Sequence, residues 1–284
     1  MPEFERLRAN FGWNVETYAT QKEGVWMTGR RAAVNFPDES YDACAAVEDS
    51  SFWFRHRNWI LTQMLKTHQP GALWEIGSGN GFVARHLQNN GIEVVTVEPG
   101  LAGARTAAKR GVTHSICGFI EDLKLPELSI PAIGCFDVLE HLEHPEIMLC
   151  EFFRVLAPGG VISISLPAMT SLWSEMDDVS GHFRRYSTES ANEMMTAAGF
   201  IRRQSEYMMI SMVLPMYFLR ARPYKMGRKM GKAKTIAAGA AQLATQRRLS
   251  SCLVDTALWI ERKLSRVVSL PCGTSVAGVW TKPK

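Results

Sequence analysis

The stretch LWEIGSGNGF, residues 73–82, decides the reading of this chain. A short apolar run carries an acid, Glu75, and is followed by glycines at 77, 79 and 81. Residues 72–76 read as a buried strand, and Phe82, Val83 and Leu87 then fall at helical spacing toward Gly91. The glycines therefore occupy a strand-to-helix turn. A dinucleotide fingerprint, G-x-G-x-x-G, would place its third glycine at position 82. That position is Phe, and the glycine comes one residue early. Glu75 argues the same way, because an acid beside a pyrophosphate would put two like charges into one low-dielectric crevice. The loop suits a ligand that carries positive charge.

Working outward, IEVVTVE (92–98), VTHSIC (112–117), AIGCFDVL (132–139) and VISISL (161–166) read as further strands. A helix over 101–110 separates the first two. Another over 145–156 places Ile147, Met148, Phe152, Val155 and Leu156 on one face, and APGG (157–160) ends it. Strand and helix alternate, so the chain is α/β, with a doubly wound, mostly parallel, Rossmann-like sheet. Ligands in such sheets bind outside the carboxyl ends of the strands. Glu98 ends the second strand, where a carboxylate can accept both hydroxyls of a ribose. S-adenosyl-L-methionine fits both acids: it has a ribose, an ammonium, a sulfonium and no phosphate.

The ordered set WEIGSGNG, VEPG, FDVLEHLEHP and EFFRVLAPGGVISISLP resembles the class I S-adenosylmethionine-dependent methyltransferases, over residues 72–167. The resemblance implies that Gly77, Gly79 and Gly81 approach the methionine and ribose moieties. Glu75 would face the ammonium, and Glu98 would take the ribose hydroxyls. Pro99, Ile120, Glu121 and Phe136 would complete the cofactor pocket. The family usually carries an Asp for the adenine amine after the third strand, and this chain has Phe119 there. Glu121 or Asp122 would substitute, or the Ile120 backbone and apolar packing would hold the ring. The family's last two strands are an antiparallel pair, matched by FIRRQSEY (200–207) and SVAGVWTK (275–282), which brings the sheet to seven strands. SFWFRHRNWIL, LWSEMDDVSGHFRRYS and LPCGTSVAGVWTK are similar to a type 11/12-like subgroup linked to small-molecule or glycan modification. The implied organisation is an N-terminal helical segment covering the active site (1–70), the cofactor domain (71–207 with 275–284) and a basic helical insertion (208–274).

Two clusters could serve the chemistry. Asp137-x-x-Glu140-His141 has spacing compatible with a divalent metal, but its plainer reading is a loop cap, and no metal is expected. Gly181-His182-Phe183-Arg184-Arg185-Tyr186 follows the fifth strand. There His182, in preference to His141, would act as general base. Arg185 could clamp an acidic group of the acceptor with Tyr186 beside it, or the arginines could pair with Glu175, Asp177 or Asp178. Trp53, Phe54 and Trp59 read as packing more readily than as a lid.

The net charge of +4 names no partner, but its distribution is uneven. Nine Lys or Arg and no acid lie between Tyr207 and Val254, seven of them within 219–234. Such a stretch suits a solvated helix or dimer face, an anionic lipid surface or, least well, nucleic acid, since no RNA-module pattern accompanies it. Leu258, Trp259, Leu264 and Val267/Val268 recur at helical spacing further on. The six cysteines show no paired spacing and read as reduced thiols. MPEFERLRAN lacks the apolar core of a signal peptide, and YMMISMVLPMYFL is too short to span a bilayer. The expectation is a cytoplasmic methyltransferase, peripheral to a membrane at most through 208–234. It would act on a hydroxyl or amine of a small metabolite or glycan. The alternative is a non-catalytic module that keeps the cofactor fold.

Overall fold

The computed structural model describes residues 1–29, 38–243, 249–264 and 269–284. Val267 and Val268 therefore lie outside the described residues. The chain opens with α1 (Glu3–Phe11), a hairpin of β1 (Ala19–Lys22) and β2 (Val25–Thr28), then α2 (Asp38–Glu48) and α3 (Phe52–His68). Strand and helix then alternate: β3 (Leu73–Ile76), α4 (Phe82–Asn89), β4 (Val94–Glu98), α5 (Leu101–Lys109), β5 (His114–Cys117), β6 (Ile130–Phe136), α6 (Pro145–Val155) and β7 (Leu156–Pro167). Short α7 (Glu175–Ser180) and α8 (Thr188–Ala197) lead to β8 (Ile201–Met208). Next come α9 (Val213–Met216), a π-turn (Tyr217–Ala221), α10 (Arg222–Lys225), α11 (Lys232–Leu243) and α12 (Leu249–Leu264), before β9 (Ser275–Thr281) closes the sheet.

The strand order is β1-β2-β5-β4-β3-β6-β7-β9-β8. β3 to β7 are parallel, and β9 runs antiparallel between β7 and β8. The order changes direction at β3, which places the glycine loop at the switch point of the sheet. Both faces are covered. Leu73 and Val94 pack into one apolar cluster and Trp74 and Val95 into the other, because successive side chains of a strand point to opposite faces.

The N-terminal segment is not only helical. β2 pairs in parallel with β5 and β1 pairs antiparallel with β2, adding two strands to the seven expected. The cause is local. Glu23 and Gly24 both have positive φ (52° and 78°), as a two-residue hairpin turn requires. Val25 and Thr28 then turn inward on the apolar run that follows.

α12 is fastened to α3 by a buried pair: His56 Nε2 lies 3.0 Å from Glu261 Oε1. The Arg262 Nε–H donates to His56 Nδ1 at 3.0 Å, and its guanidinium lies 5.2 Å from the Trp59 ring centroid. Trp59 is thus a packing residue. No helix among the described residues is long and apolar enough to cross a membrane. The cysteines whose side chains are described are free thiols.

Candidate functional site

The carboxyl ends of β3, β4 and β6 open into a cavity of about 900 Å3. That is near the upper end of the roughly 300–1,000 Å3 of small-molecule sites, enough for two ligands side by side. One wall is backbone. Gly77 (φ 71°) turns the chain sharply after β3, and a Cβ there would stand 2.5 Å from Val138 Cγ2. Only glycine allows that approach. Gly79 follows in the cavity wall, but Gly81 does not line it. A Cβ on Gly81 would meet Ala107 Cβ at 2.5 Å, so this glycine serves the close packing of α4 on α5. Sequence spacing alone could not separate those two roles.

Two buried acids stand on this wall. Glu75 is 2% exposed, and its Oε2 has no hydrogen-bond partner. Burial pushes its carboxyl up to about 8, against the downward pull of Arg57. Glu98 is fully engaged. It accepts the Gly79 and Gly100 N–H groups, both at 2.7 Å, and the Tyr41 hydroxyl at 2.8 Å. Burial still raises its pKa despite those three bonds. Pro99, Ile120, Glu121 and Phe136 line the same cavity. Asp122 does not. Its Oδ2 takes the Phe119 N–H and the Thr28 hydroxyl, each at 3.3 Å, which leaves Glu121 and the Ile120 backbone at the place where an adenine-binding acid was sought.

The opposite wall is made of side chains. Phe52, Trp53 and Phe54 of α3 line it, so the aromatic run is more than packing. Arg57 lies over the Phe54 ring at 5.2 Å and is paired with Asp137. Asp137 also accepts the Ser165 hydroxyl at 3.1 Å. It is thereby committed, and the group that converges is Glu140, His141 and His182, whose ligand atoms lie within 4.8 Å of one another. Glu140 is buried with an unpartnered Oε2, and burial holds its carboxyl well above the usual range. Burial and the neighbouring His182 hold His141 down at about 4, so it is neutral. Two imidazoles with a carboxyl are a donor set that could accept a cation, with Asp177 behind His182 as the outer carboxylate.

Asp177 organises this wall. It is buried at the N-terminus of α7 and bonded to Ser174. It lies 3.0 Å from His182 Nδ1 and accepts Arg185 Nε at 2.7 Å and Nη2 at 3.1 Å. Burial pushes its pKa up, but the His182 and Arg185 contacts outweigh it and hold the carboxyl at about 2. The ionised acid fixes the proton on Nδ1 and leaves Nε2 of His182 as the basic nitrogen. The Arg185 Nη1 donates to the Ala168 carbonyl at 2.9 Å, so the guanidinium is a strut and not an open clamp. Tyr186 lies outside the cavity lining. Its backbone pairs with Pro167 and Met169, and its ring is buried in the core. Arg184 donates to the Leu142 and Glu143 carbonyls.

Sequence reasoning missed Tyr41, Glu48 and Arg57, which all line the cavity. It named Asp177 as a partner for the arginines, as Arg185 shows, but not as the partner of His182. Ser174 and Asp177 do have the spacing of a capping box, a signal that was readable. Nothing local marks Tyr41. Met212, Pro215, Met216 and Leu219 of the insertion also line the cavity.

Residues 74–164 match the profile of a family described as a methyltransferase domain. A protein of Mycolicibacterium smegmatis described as a "probable S-adenosylmethionine-dependent methyltransferase" is 26% identical over 61% of this chain and 65% of its own length. The malonyl-[acyl-carrier protein] O-methyltransferase of Serratia marcescens is 29% identical over 49% of this chain and 54% of its own. The chain thus matches less than two thirds of either relative. Among solved structures, a phosphoethanolamine N-methyltransferase of Haemonchus contortus, in complex with S-adenosyl-L-methionine, superposes with a TM-score of 0.54 at 16% identity. It covers 87% of this chain and 58% of its own, a likeness of fold. A [4+2]-cyclase shares the fold at a TM-score of 0.52 and 18% identity, over 89% of this chain and 99% of its own, so the fold by itself does not name a reaction. The glycine loop with its two acids lies within the matched 74–164 segment, which is similar to a methyltransferase domain and to S-adenosylmethionine-dependent methyltransferases.

Proposed function

We propose that this chain transfers a methyl group from S-adenosyl-L-methionine to a hydroxyl, or an amine, of a small metabolite or glycan. When bound, the cofactor supplies a methyl already activated on a sulfonium, so the protein's work is to hold, orient and deprotonate. The observation that carries the reading is the unpartnered Oε2 of Glu75, a buried acceptor in the cavity wall that a cationic ligand would satisfy. Glu98 would hold the ribose, and Glu121 with Ile120 would border the adenine. His182, oriented by Asp177, is the residue we assign to remove the acceptor's proton through Nε2. His141 lies beside it, the rings 4.7 Å apart, and is kept neutral.

O-methyl transfer is named for the Serratia relative and N-methyl transfer for the Haemonchus structure, so the acceptor atom is left as either. The competing reading is a binding module that keeps the fold without turnover, favoured by Phe119 in place of the adenine-binding acid. Calorimetric titration with S-adenosylhomocysteine decides whether the cofactor site works. Micromolar binding is expected, with at least about a hundredfold loss in Glu98→Ala, since hydrogen bonds to a charged group contribute about 1.5–3 kcal/mol each. Absence of binding in folded protein would sink the assignment. Binding with no turnover over a broad acceptor panel would favour the module.

A further inference from the structure

We infer that the segment from α9 through the start of α11 docks this protein on an anionic lipid surface. The argument begins with one face of a helical run. Leu214, Pro215, Phe218, Leu219, Arg222, Lys225 and Met226 are all exposed, while Ala221 between them is buried. Their spacings are one or three residues throughout, the repeat of a single helical face. Its first half is apolar, with Leu214 66%, Phe218 53% and Leu219 65% exposed. Its second half is basic, and exposed Arg228, Lys229, Lys232 and Lys234 continue the charge past Met226 and Met230. An apolar stripe flanked by lysine and arginine is the pattern of a helix lying in a membrane interface.

The charge is only partly offset locally. The run contains no acid, and its six exposed basic residues outnumber the acids that approach it, Asp178 and, near Lys229, Glu175. Glu175 accepts the Met230 and Gly231 N–H groups at 2.7 and 2.8 Å, and Asp178 accepts the Tyr224 hydroxyl at 2.6 Å. Lys225 Nζ donates to the Ser171 carbonyl at 2.9 Å, which ties the run to the body without neutralising it. Charge complementarity therefore selects an anionic bilayer over a neutral one.

Placement gives the docking a use. Pro215 and Leu219 belong both to the exposed stripe and to the cavity wall, so the cavity mouth opens beside the docking face. Resting on the methyl-transfer reading, the acceptor would be a hydroxyl or amine compound with an apolar chain, entering from the lipid side.

The test is flotation of the full chain with vesicles of phosphatidylcholine alone and of an equal mixture with phosphatidylglycerol. Wild type is expected to partition onto the anionic vesicles only. The triple variant Arg222→Ala, Arg228→Ala, Lys229→Ala should bind at least about tenfold more weakly, since each basic residue near such a surface adds roughly fivefold in affinity. Leu214→Ser with Phe218→Ser should lose partitioning while binding S-adenosylhomocysteine as wild type does. Equal binding to both vesicle types, no binding to either, or an unaffected Leu214→Ser, Phe218→Ser variant would overturn the inference. So would wild-type self-association in sedimentation velocity that this variant abolishes without any vesicle binding, because the face would then be a contact between copies. Vesicle binding without cofactor binding would leave docking standing and remove the methyltransferase reading instead.

Discussion

The two walls of the cavity are built from different materials. On the cofactor side the wall is backbone: a glycine turn after β3, the N–H groups of Gly79 and Gly100, and two acids at strand ends. On the opposite side it is side chains gathered from α3, the 139–141 turn, α7 and the insertion, held by ion pairs such as Arg57–Asp137 and Arg185–Asp177. A backbone wall is set mainly by topology, apart from single positions such as Gly77 and Glu98. A wall of paired side chains depends on each partner.

The sharpest test of that difference is Asp177→Ala. The substitution leaves Arg185, whose side chain is 5% exposed, without its carboxylate. Breaking a buried pair by removing one partner costs about 3–5 kcal/mol. Urea unfolding should register that loss, while affinity for S-adenosylhomocysteine changes little, because Asp177 is no part of the cofactor wall. Equal damage to both would mean that the walls are one cooperative unit. Any activity measured for Asp177→Asn should fall in turnover more than in cofactor affinity, since the amide would leave His182 in either tautomer.

The same difference explains what could be read in the sequence. The glycine loop, Glu75 and Glu98 are consecutive with the strands that position them, so local order and spacing exposed them. Phe136 and Ile120 follow from the same registers. Gly81 was misplaced because its neighbours Ala107 and Val112 arrive from the next βα unit. Arg185 and Tyr186 sit in the right loop, but their partners decide their roles. Arg185 spends its donors on Asp177 and Ala168, and Tyr186 turns into the core. The edge hairpin β1–β2 was readable from Glu23-Gly24 before an apolar run, and only its pairing with β5 was non-local. Tyr41 reaches Glu98 across 57 positions of sequence, beyond any local pattern.

A second prediction concerns proton linkage on the backbone wall. Burial holds the Glu75 carboxyl at about 8 in the free protein, against an ordinary 4.5. A cofactor ammonium would favour the carboxylate and lower that value, so binding releases a proton below pH 8. Affinity should therefore rise by up to about tenfold per pH unit from pH 6 toward 8, one pKa unit being about 1.4 kcal/mol. Stability without ligand runs the other way. The folded state binds the extra proton, so this group's contribution is lost as pH rises through the window from 4.5 to about 8. Titrations across that window in buffers of different ionisation enthalpy would measure the released proton. Glu75→Gln should flatten both profiles, and an unchanged slope in that variant would assign the linkage to another group.

The smallest expected effect probes a side chain that reaches the backbone wall from α2. The Tyr41 hydroxyl donates to Glu98 Oε1 at 2.8 Å, an oxygen that also accepts the Gly100 N–H. A ribose hydroxyl bound there would compete with Tyr41 for the same lone pairs. If α2 merely shields the acid in the free protein, Tyr41→Phe removes the competitor. Cofactor affinity then rises by a few fold, in keeping with about 1 kcal/mol for one hydrogen bond. A fall of similar size would mean that Tyr41 turns from Glu98 to the cofactor on binding and that α2 belongs to the site. The sign of this change, read by calorimetry with S-adenosylhomocysteine, thus decides whether the cofactor wall is complete without α2 or closes with a side chain from it.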